Sequence, residues 1–437
     1  MIKYNTMYFN PEIECAEREI LIQHQFTRLR RLLREIYQKN PFYTRKLQEA
    51  GIVPEDLSSL ESLSHLPFTT KSELSQDQED HPPYGTNLTY PLKEYVRYHQ
   101  TSGTTGKPLR ILDTRESWEW WIKCWNYIYR AAGVGWGDRV FFGFSFGPFI
   151  GFWSAFDGAQ SIGCLGISGG GLDSLQRLKL MLETQATVLV CTPSYALRLA
   201  SIAEENGIDI AKSSIRITIH AGEPGASIPA TKKKIEMAWG AKCFDHAGAT
   251  EVGAFGYECS VQPGGIHLNE GEFIAEVIDP STGKALPAGR KGELVITNLG
   301  RWGTPVIRYR TGDLVELNED PCECGRRFAR MMGGILGRVD DMITVRGVNI
   351  FPSAIENIIR QFHQVEEFSA EIYREKEMEE LHLKLEIKGS EEEKKQIQEK
   401  VFQTLRAQLN LRTHITLAEP GSLPRFEMKA RRFKIIN

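Results

Sequence analysis

Between Val140 and Thr297, short apolar runs alternate with stretches of helical spacing, and no other feature constrains the fold of this chain as strongly. Arg139–Phe144, Thr187–Cys191 and Ile215–His220 read as strands, while the residues around Leu175–Glu183 and Ala196–Asn206 read as helices. Such alternation predicts an α/β sheet with helices on its faces. A chain of 437 residues is too long for one ordinary core, and roughly two to three structural units are expected. Near the N-terminus, residues 13–39 have helical periodicity, with Asn40-Pro41 as the stop, because the residue before proline resists helical geometry.

Beyond Gly337 the pattern changes. A strand at Met342–Arg346, a helix, a hairpin pairing Phe368–Tyr373 with Leu381–Ile387, a helix at Glu391–Leu409 and a strand at Thr413–Leu417 form a small α+β unit. Its first helix is expected to open on a capping box, Ser353-Ala354-Ile355-Glu356, in which serine and glutamate satisfy each other's backbone donors. The expected division is a large domain over residues 1–337, a hinge over 338–341 and a mobile domain over 342–437.

Charge and composition disfavour several function classes. A net charge of −3 offers no broad attraction to nucleic acid or an anionic membrane. The first residues carry charges where a secretory signal needs an apolar run. Val140–Phe156 lacks charge but is interrupted by Gly147, Pro148 and Gly151, and it falls short of the ~20 residues of a membrane span. Eight scattered cysteines suit a reducing cytoplasm better than a disulfide framework.

One loop is unlike anything a helix or strand would use: Thr101, Ser102, Gly103, Thr104, Thr105, Gly106, Lys107, then Pro108. Glycines and short hydroxyls can expose backbone N–H groups to a phosphate chain, with Lys107 adding charge. The spacing is not that of the Walker loop, and a flexible connector has the same composition. Further segments of this kind follow in order: Ala221–Gly225, Phe244–Glu251, Arg308–Asp313, Gly337–Asp341 and Arg346–Asn349. Carboxylates at strand ends, such as Glu251 and Asp313, suit Mg²⁺ or ribose hydroxyls, although each segment alone could be a polar turn.

Taken as one colinear series, TSGTTGKP, AGEPG, GATE, RYRTGD, GRVDD and RGVN resemble the adenylate-forming superfamily of acyl-CoA ligases, adenylation domains and luciferase. NPFYTRKLQEAG at Asn40–Gly51, LPFTTKSEL at Leu66–Leu74 and DDMITVRGVNIFPSAIE at Asp340–Glu356 are most similar to the phenylacetate–CoA ligase family. The resemblance spans nearly the whole chain. It implies an AMP-binding domain of the adenylate-forming type followed by a mobile α+β domain. It also implies that Thr101–Lys107 hold the β- and γ-phosphates of ATP, that Gly222, Glu223 and Pro224 lie along the adenine, and that Asp245 and His246 belong to the nucleotide site. Thr250 would contact the α-phosphate and Glu251 would bind Mg²⁺. Asp313 would accept from the ribose, with Arg338 nearby. Asp340 would be the hinge, Gly347 would border the coenzyme A tunnel, and Lys429 in PRFEMKARR would be the adenylation lysine.

Two departures stand out. Met428 replaces the glycine usual before the lysine, and Ala247 replaces an aromatic residue that stacks on adenine; the expected consequence is either weaker nucleotide binding or a shift of the stack to Phe244 or His246. Cys322 and Cys324 lie in a Pro/Gly turn, with Cys259 and His267 upstream. Free thiols are one reading; the family resemblance implies a structural Zn²⁺ on all four. Phe149, Phe152, Trp153 and Phe156 have helical spacing, which is common in a plain core. By resemblance, Phe144, Phe146, Phe149 and the glycine run at Gly170 border the acyl site, where aromatic walls would favour an aryl acid.

The expected activity is therefore ATP-dependent activation of a phenylacetate-like acid, through an acyl-adenylate, with transfer to coenzyme A and release of AMP and pyrophosphate. The partners are small molecules, and the resemblance also implies a homodimer. Transfer to a carrier protein or an amine, and a non-catalytic nucleotide-binding protein, are the alternatives.

Overall fold

The fold is described from a computed structural model covering residues 7–101, 107–339, 343–345, 348–375, 378–409, 411, 413–426 and 432–436. Five parallel strands lie side by side in the order Lys242–Ala249, Ile217–His220, Val188–Cys191, Arg139–Phe142 and Leu165–Ser168. Helices Ile150–Ser161, Ser174–Glu183, Pro193–Glu205 and Pro229–Trp239 connect them. Every residue of Val188–Cys191 and Ile217–His220 is buried, as parallel strands covered on both faces must be. The expected α/β alternation is therefore present. Helix starts follow local chemistry: Thr192 accepts from Tyr195 N ahead of Pro193, and Asp173 forms a capping box with Gln176.

After Lys242–Ala249 the same sheet continues antiparallel, through Gly253–Glu258 and Gly265–Leu268 to Arg330–Met332. Tyr309–Asn318, Lys291–Asn298 and Phe273–Ile278 complete it. Helix Arg115–Ala132 packs Trp121, Trp125 and Tyr129 into the core of this large domain. The carboxyl ends of the five parallel strands point the same way. The loops at 143–149, 169–173, 221–228 and 250–252 therefore open on one edge of the sheet, where ligands of open α/β sheets bind.

The smaller part has its own core of Ile355, Ile359, Phe368, Leu383, Leu385, Val401 and Leu405. Val365–Glu375 and Met378–Ile387 form the hairpin, and Thr413–Leu417 runs parallel to its second strand. Helices Pro352–Arg360 and Glu391–Leu409 cover one face. A strand absent from the sequence reading, Phe433–Ile436, pairs in parallel with Val365–Glu375.

Two local expectations are corrected. Residues 13–39 are not one helix: Pro11–Glu14 and Arg18–Ile36 are separate. Glu14 turns inward to a buried ion pair with Arg326. Asn40 opens the next helix, accepting from Tyr43 N. The Ser353–Glu356 capping box does not form, because Pro352 takes the first helical position and the N-cap is Phe351, two residues before Ser353. Ser353 is then inside the first turn and donates to Leu336 O, while Glu356 pairs with Arg432. Among the described residues no helix is long and apolar enough to cross a membrane.

Candidate active site

Thr250 and Glu251 occupy the turn between Lys242–Ala249 and Gly253–Glu258. The turn is held from beneath. Arg301 donates to Thr250 O at 2.7 Å and Glu251 O at 3.2 Å, and its guanidinium grips Asp113 with two bonds of 2.7 Å. Arg301 and Asp113 are wholly buried, so neither charge is screened by water, and bidentate geometry keeps the pair fixed. Neither residue was singled out by sequence. They lie 188 positions apart, and neither is in a recognisable motif.

Glu251 itself is buried, with Lys71 Nζ 2.8 Å from its carboxylate and Tyr309 OH at 3.4 Å. Lys71 belongs to the LPFTTKSEL segment, which is zipped onto the sheet: Thr69 N donates to Arg308 O, and Arg310 N donates to Thr69 O. A buried carboxylate at a strand end, balanced by a single amine, fits a site for a divalent cation with phosphate oxygens.

Asp313 and Arg338 face each other across an antiparallel pair, with Nη1 to Oδ1 at 3.3 Å. Arg338 also donates to Thr311 O. Gly312 lies beneath with φ +73°, and a Cβ there would be 2.6 Å from Arg338 Nη2. Glu223 accepts from Ser194 N at 2.9 Å. Gly222 takes a positive φ, and Pro224 is exposed beside it.

Asp245 is buried, accepting from Ser227 Oγ and His246 N, and burial pushes its pKa up to about 7. His246 does not take the place of the missing aromatic. Its ring packs 4.6 Å from Trp125, Nδ1 donates to Gly256 O at 2.7 Å, and burial pushes its pKa down to about 4. Strand alternation puts neighbouring side chains on opposite faces, so His246 and Ala247 point apart. Phe244 is buried as well.

Thr101 and Leu109 bond to each other and close the base of the hydroxyl-rich loop. Ser102, Gly103, Thr104, Thr105 and Gly106 lie outside the described residues. Lys107 is exposed and pairs with Glu79 at 3.0 Å, a surface contact worth at most about 1 kcal/mol. Asp340, Gly347 and Lys429 also lie outside the described residues.

After strand Arg139–Phe142, Phe146 is the hub of an aromatic nest, with ring centroids 4.9 Å from Trp153 and 5.6 Å from Phe156. Gly170 abuts it, since a Cβ would be 3.2 Å from the Phe146 ring. Phe144 stacks on Phe152, and Phe149, the N-cap residue of the helix, meets Phe152 edge-on. Phe152, Trp153 and Phe156 are half-buried against the core. Arg177, unnoticed in sequence, is buried and ties the two loops together by donating to Gly169 O, Tyr195 OH and Ser145 Oγ.

Cys259, His267, Cys322 and Cys324 converge, all buried, with their ligand atoms within 4.8 Å of one another. Cys259 Sγ and Cys322 Sγ are 3.8 Å apart, and Cys324 Sγ is 3.6 Å from His267 Nε2. Tetrahedral zinc, with Zn–S near 2.3 Å and Zn–N near 2.0–2.1 Å, requires edges of about 3.8 and about 3.6 Å. Nδ1 of His267 faces Phe328 O at 3.3 Å, the outer bond that orients a ligating histidine. The donor set therefore fits zinc. Arg326 braces it from the N-terminal side, donating to Cys324 Sγ, Glu14 and Met7 O.

Residues 45–300 match the family described as AMP-binding enzyme, and residues 347–434 match its AMP-binding enzyme C-terminal domain. The phenylacetate–coenzyme A ligase of Thermus thermophilus is 32% identical over 96% of this chain and 97% of its own length. That of Pseudomonas putida is 34% identical over 96% and 94%. A solved 2-hydroxyisobutyryl-CoA ligase in the postadenylation state, with an acyl-AMP bound, superposes with a TM-score of 0.95 at 29% identity, covering 100% of this chain and 94% of that one. The same ligase in the thioesterification state, with CoA bound, gives 0.76 at 30% identity over the same shares.

Proposed function

The chain belongs to the phenylacetate–coenzyme A ligase family of AMP-binding enzymes, and from that membership we propose that it activates an aromatic carboxylic acid as its acyl-adenylate and transfers the acyl group to coenzyme A. The observation carrying this reading is the sequence match running through both domains to curated acid–CoA ligases. The Glu251, Asp313, Arg338 and Glu223 groups at one sheet edge supply the complementary geometry.

The barrier to the first half-reaction lies largely in bringing a carboxylate up to a triphosphate, two anions, in line with the α-phosphorus. Thr101 to Lys107 would cradle the leaving pyrophosphate, with the hydroxyl of Thr250 at the α-phosphate. The Asp313 carboxylate would accept from the ribose while Arg338 holds its orientation. Lys429 would enter from the C-terminal domain and stabilise charge developing between acid and phosphate. Glu251 would hold Mg²⁺, which offsets phosphate charge when bound; Lys71 must then part from Glu251 and is free to turn toward the phosphates. In the second half-reaction the thiol of coenzyme A adds to the acyl carbon and AMP leaves, so the protein needs no nucleophile of its own. Gly347 would border the pantetheine path.

The closer superposition on a postadenylation state suits a C-terminal domain standing in its adenylation position. The Phe146 nest and Gly170 favour a flat ring in the acid. The Cys₃His cluster would hold a structural zinc that fastens the N-terminal segment to the sheet. Pyrophosphate exchange across a panel of aryl, arylacetic and short aliphatic acids tests the reading, followed by acceptor trials with coenzyme A and hydroxylamine. Exchange with an aryl acid, and thioester formed with AMP, are expected. Exchange with aliphatic acids alone would overturn the substrate class, and exchange without use of coenzyme A would overturn the acceptor.

A further inference from the structure

The two domains meet at a compact charged cluster near the C-terminal end. Arg432 is 7% exposed. Within its own domain it donates from Nε to Glu367 Oε1 at 2.7 Å and from Nη1 to Glu356 Oε1 at 3.3 Å. Its Nη2 crosses to the large domain and donates to Ser194 Oγ at 3.2 Å. Ser194 is in the first turn of Pro193–Glu205, and its backbone N donates to Glu223, the residue that the family reading sets along the adenine. The Phe368 and Phe426 rings flank the guanidinium at 5.5 Å.

Other interdomain contacts go to backbone carbonyls or lie on the surface: Ser353 Oγ donates to Leu336 O beside the hinge. Lys388 and Glu204 pair at 3.1 Å on the exposed rim. Lys234 of Pro229–Trp239 donates to Val365 O at 3.2 Å. Arg432 alone among the described residues links a carboxylate pair of the small domain, Glu367 buried and Glu356 partly so, to the first turn of Pro193–Glu205. It is also three positions after Lys429 in the chain. A reach of three residues spans at most about 11 Å, so fixing Arg432 confines where Lys429 can be.

We propose that Arg432 is a positioning residue for adenylation: by bridging Glu356 and Glu367 to Ser194, it docks the small domain so that Lys429 enters the nucleotide site. This rests on the acid–CoA ligase reading for its chemistry, whereas the docking contact itself does not. Rotation of the small domain for thioesterification must break the Ser194 bond and leave the Glu356 and Glu367 bonds intact. The latch therefore acts on one half-reaction only.

The test uses the full-length protein and two variants, Arg432→Gln and Ser194→Ala. Ser194→Ala removes only the interdomain end, so it remains informative if Arg432→Gln unfolds the small domain. The first readout is small-angle X-ray scattering without substrates. Wild type is expected to match the docked arrangement, and both variants to shift toward a larger radius of gyration. The second readout compares acid-dependent pyrophosphate exchange with coenzyme A-dependent consumption of a supplied acyl-adenylate. Exchange is expected to fall roughly tenfold or more in each variant, the scale of losing one hydrogen bond to a charged group, while consumption stays within about twofold. Equal losses in both half-reactions would assign Arg432 a merely structural role, and unchanged scattering in both variants would overturn the latch. A wild type that exchanges with no acid would count against the ligase reading alone, since the scattering comparison still decides the docking contact.

Discussion

At Gly312 the backbone has φ +73°, and a Cβ would lie 2.6 Å from Arg338 Nη2. Gly312→Ala should cost about 1–3 kcal/mol in backbone strain and push Arg338 off Asp313. The expected result is a KM for ATP raised roughly tenfold, a loss of about 1.4 kcal/mol in binding, with kcat less affected. An unchanged KM would remove Asp313 and Arg338 from the ribose side. Asp113→Asn probes the support beneath Glu251. It leaves the buried Arg301 without its anionic partner, which costs about 3–5 kcal/mol when such a pair is broken, as urea unfolding would report. A change below about 1 kcal/mol would mean that the turn does not depend on the pair. Asp313 and Glu251 were legible in sequence because each follows turn residues in a motif. Asp113 and Arg301 were not, since only the folded sheet brings them together. Lys71 stood in a quoted segment, yet nothing local showed that it would meet Glu251.

The elements repeat this division. Buried parallel strands were readable because they are short apolar runs between helical stretches. The hairpin Val365–Glu375 with Met378–Ile387 was readable because both arms carry alternating apolar residues. Phe433–Ile436 escaped notice: four residues after a basic stretch carry too little pattern, and only Val365–Glu375 makes them a strand. Ser353–Glu356 has the spelling of a capping box, but Pro352 claims the first helical position and shifts the register. The metal cluster was legible only as two pairs; the strand register Tyr257↔His267 is what brings Cys259 and His267 up to the turn of Cys322 and Cys324. Metal analysis of purified protein should find about one zinc per chain, consistent with a closed four-ligand site. Cys322→Ser should lose most of it and lower the Tm by several degrees, as loss of a folding metal does. Less than about half an equivalent in wild type would contradict the assignment.

At the scale of the whole molecule, docking buries Lys234 against Val365 O, with Glu366, Glu367, Arg360 and Arg432 around it. Burial pushes its pKa down from 10.5 to about 8. A base with a depressed pKa in the docked state opposes docking while protonated, so the penalty is full below about pH 8 and fades as pH rises toward 10.5. Between pH 7 and 9 docking should strengthen roughly tenfold, about 1.3 kcal/mol, visible as a falling radius of gyration in Ser194→Ala, whose docking is weakened. Lys234→Met should flatten that dependence; a wild type that opens as pH rises would reverse the sign and refute it. The docked arrangement also defines the most direct test of a single site serving two half-reactions by domain rotation: Lys429→Ala assayed in each. Pyrophosphate exchange should fall by at least about two orders of magnitude, the scale of losing one group that stabilises transition-state charge. Consumption of a supplied acyl-adenylate with coenzyme A should stay within a few-fold of wild type. Equal loss in both half-reactions, or exchange left intact, would contradict it.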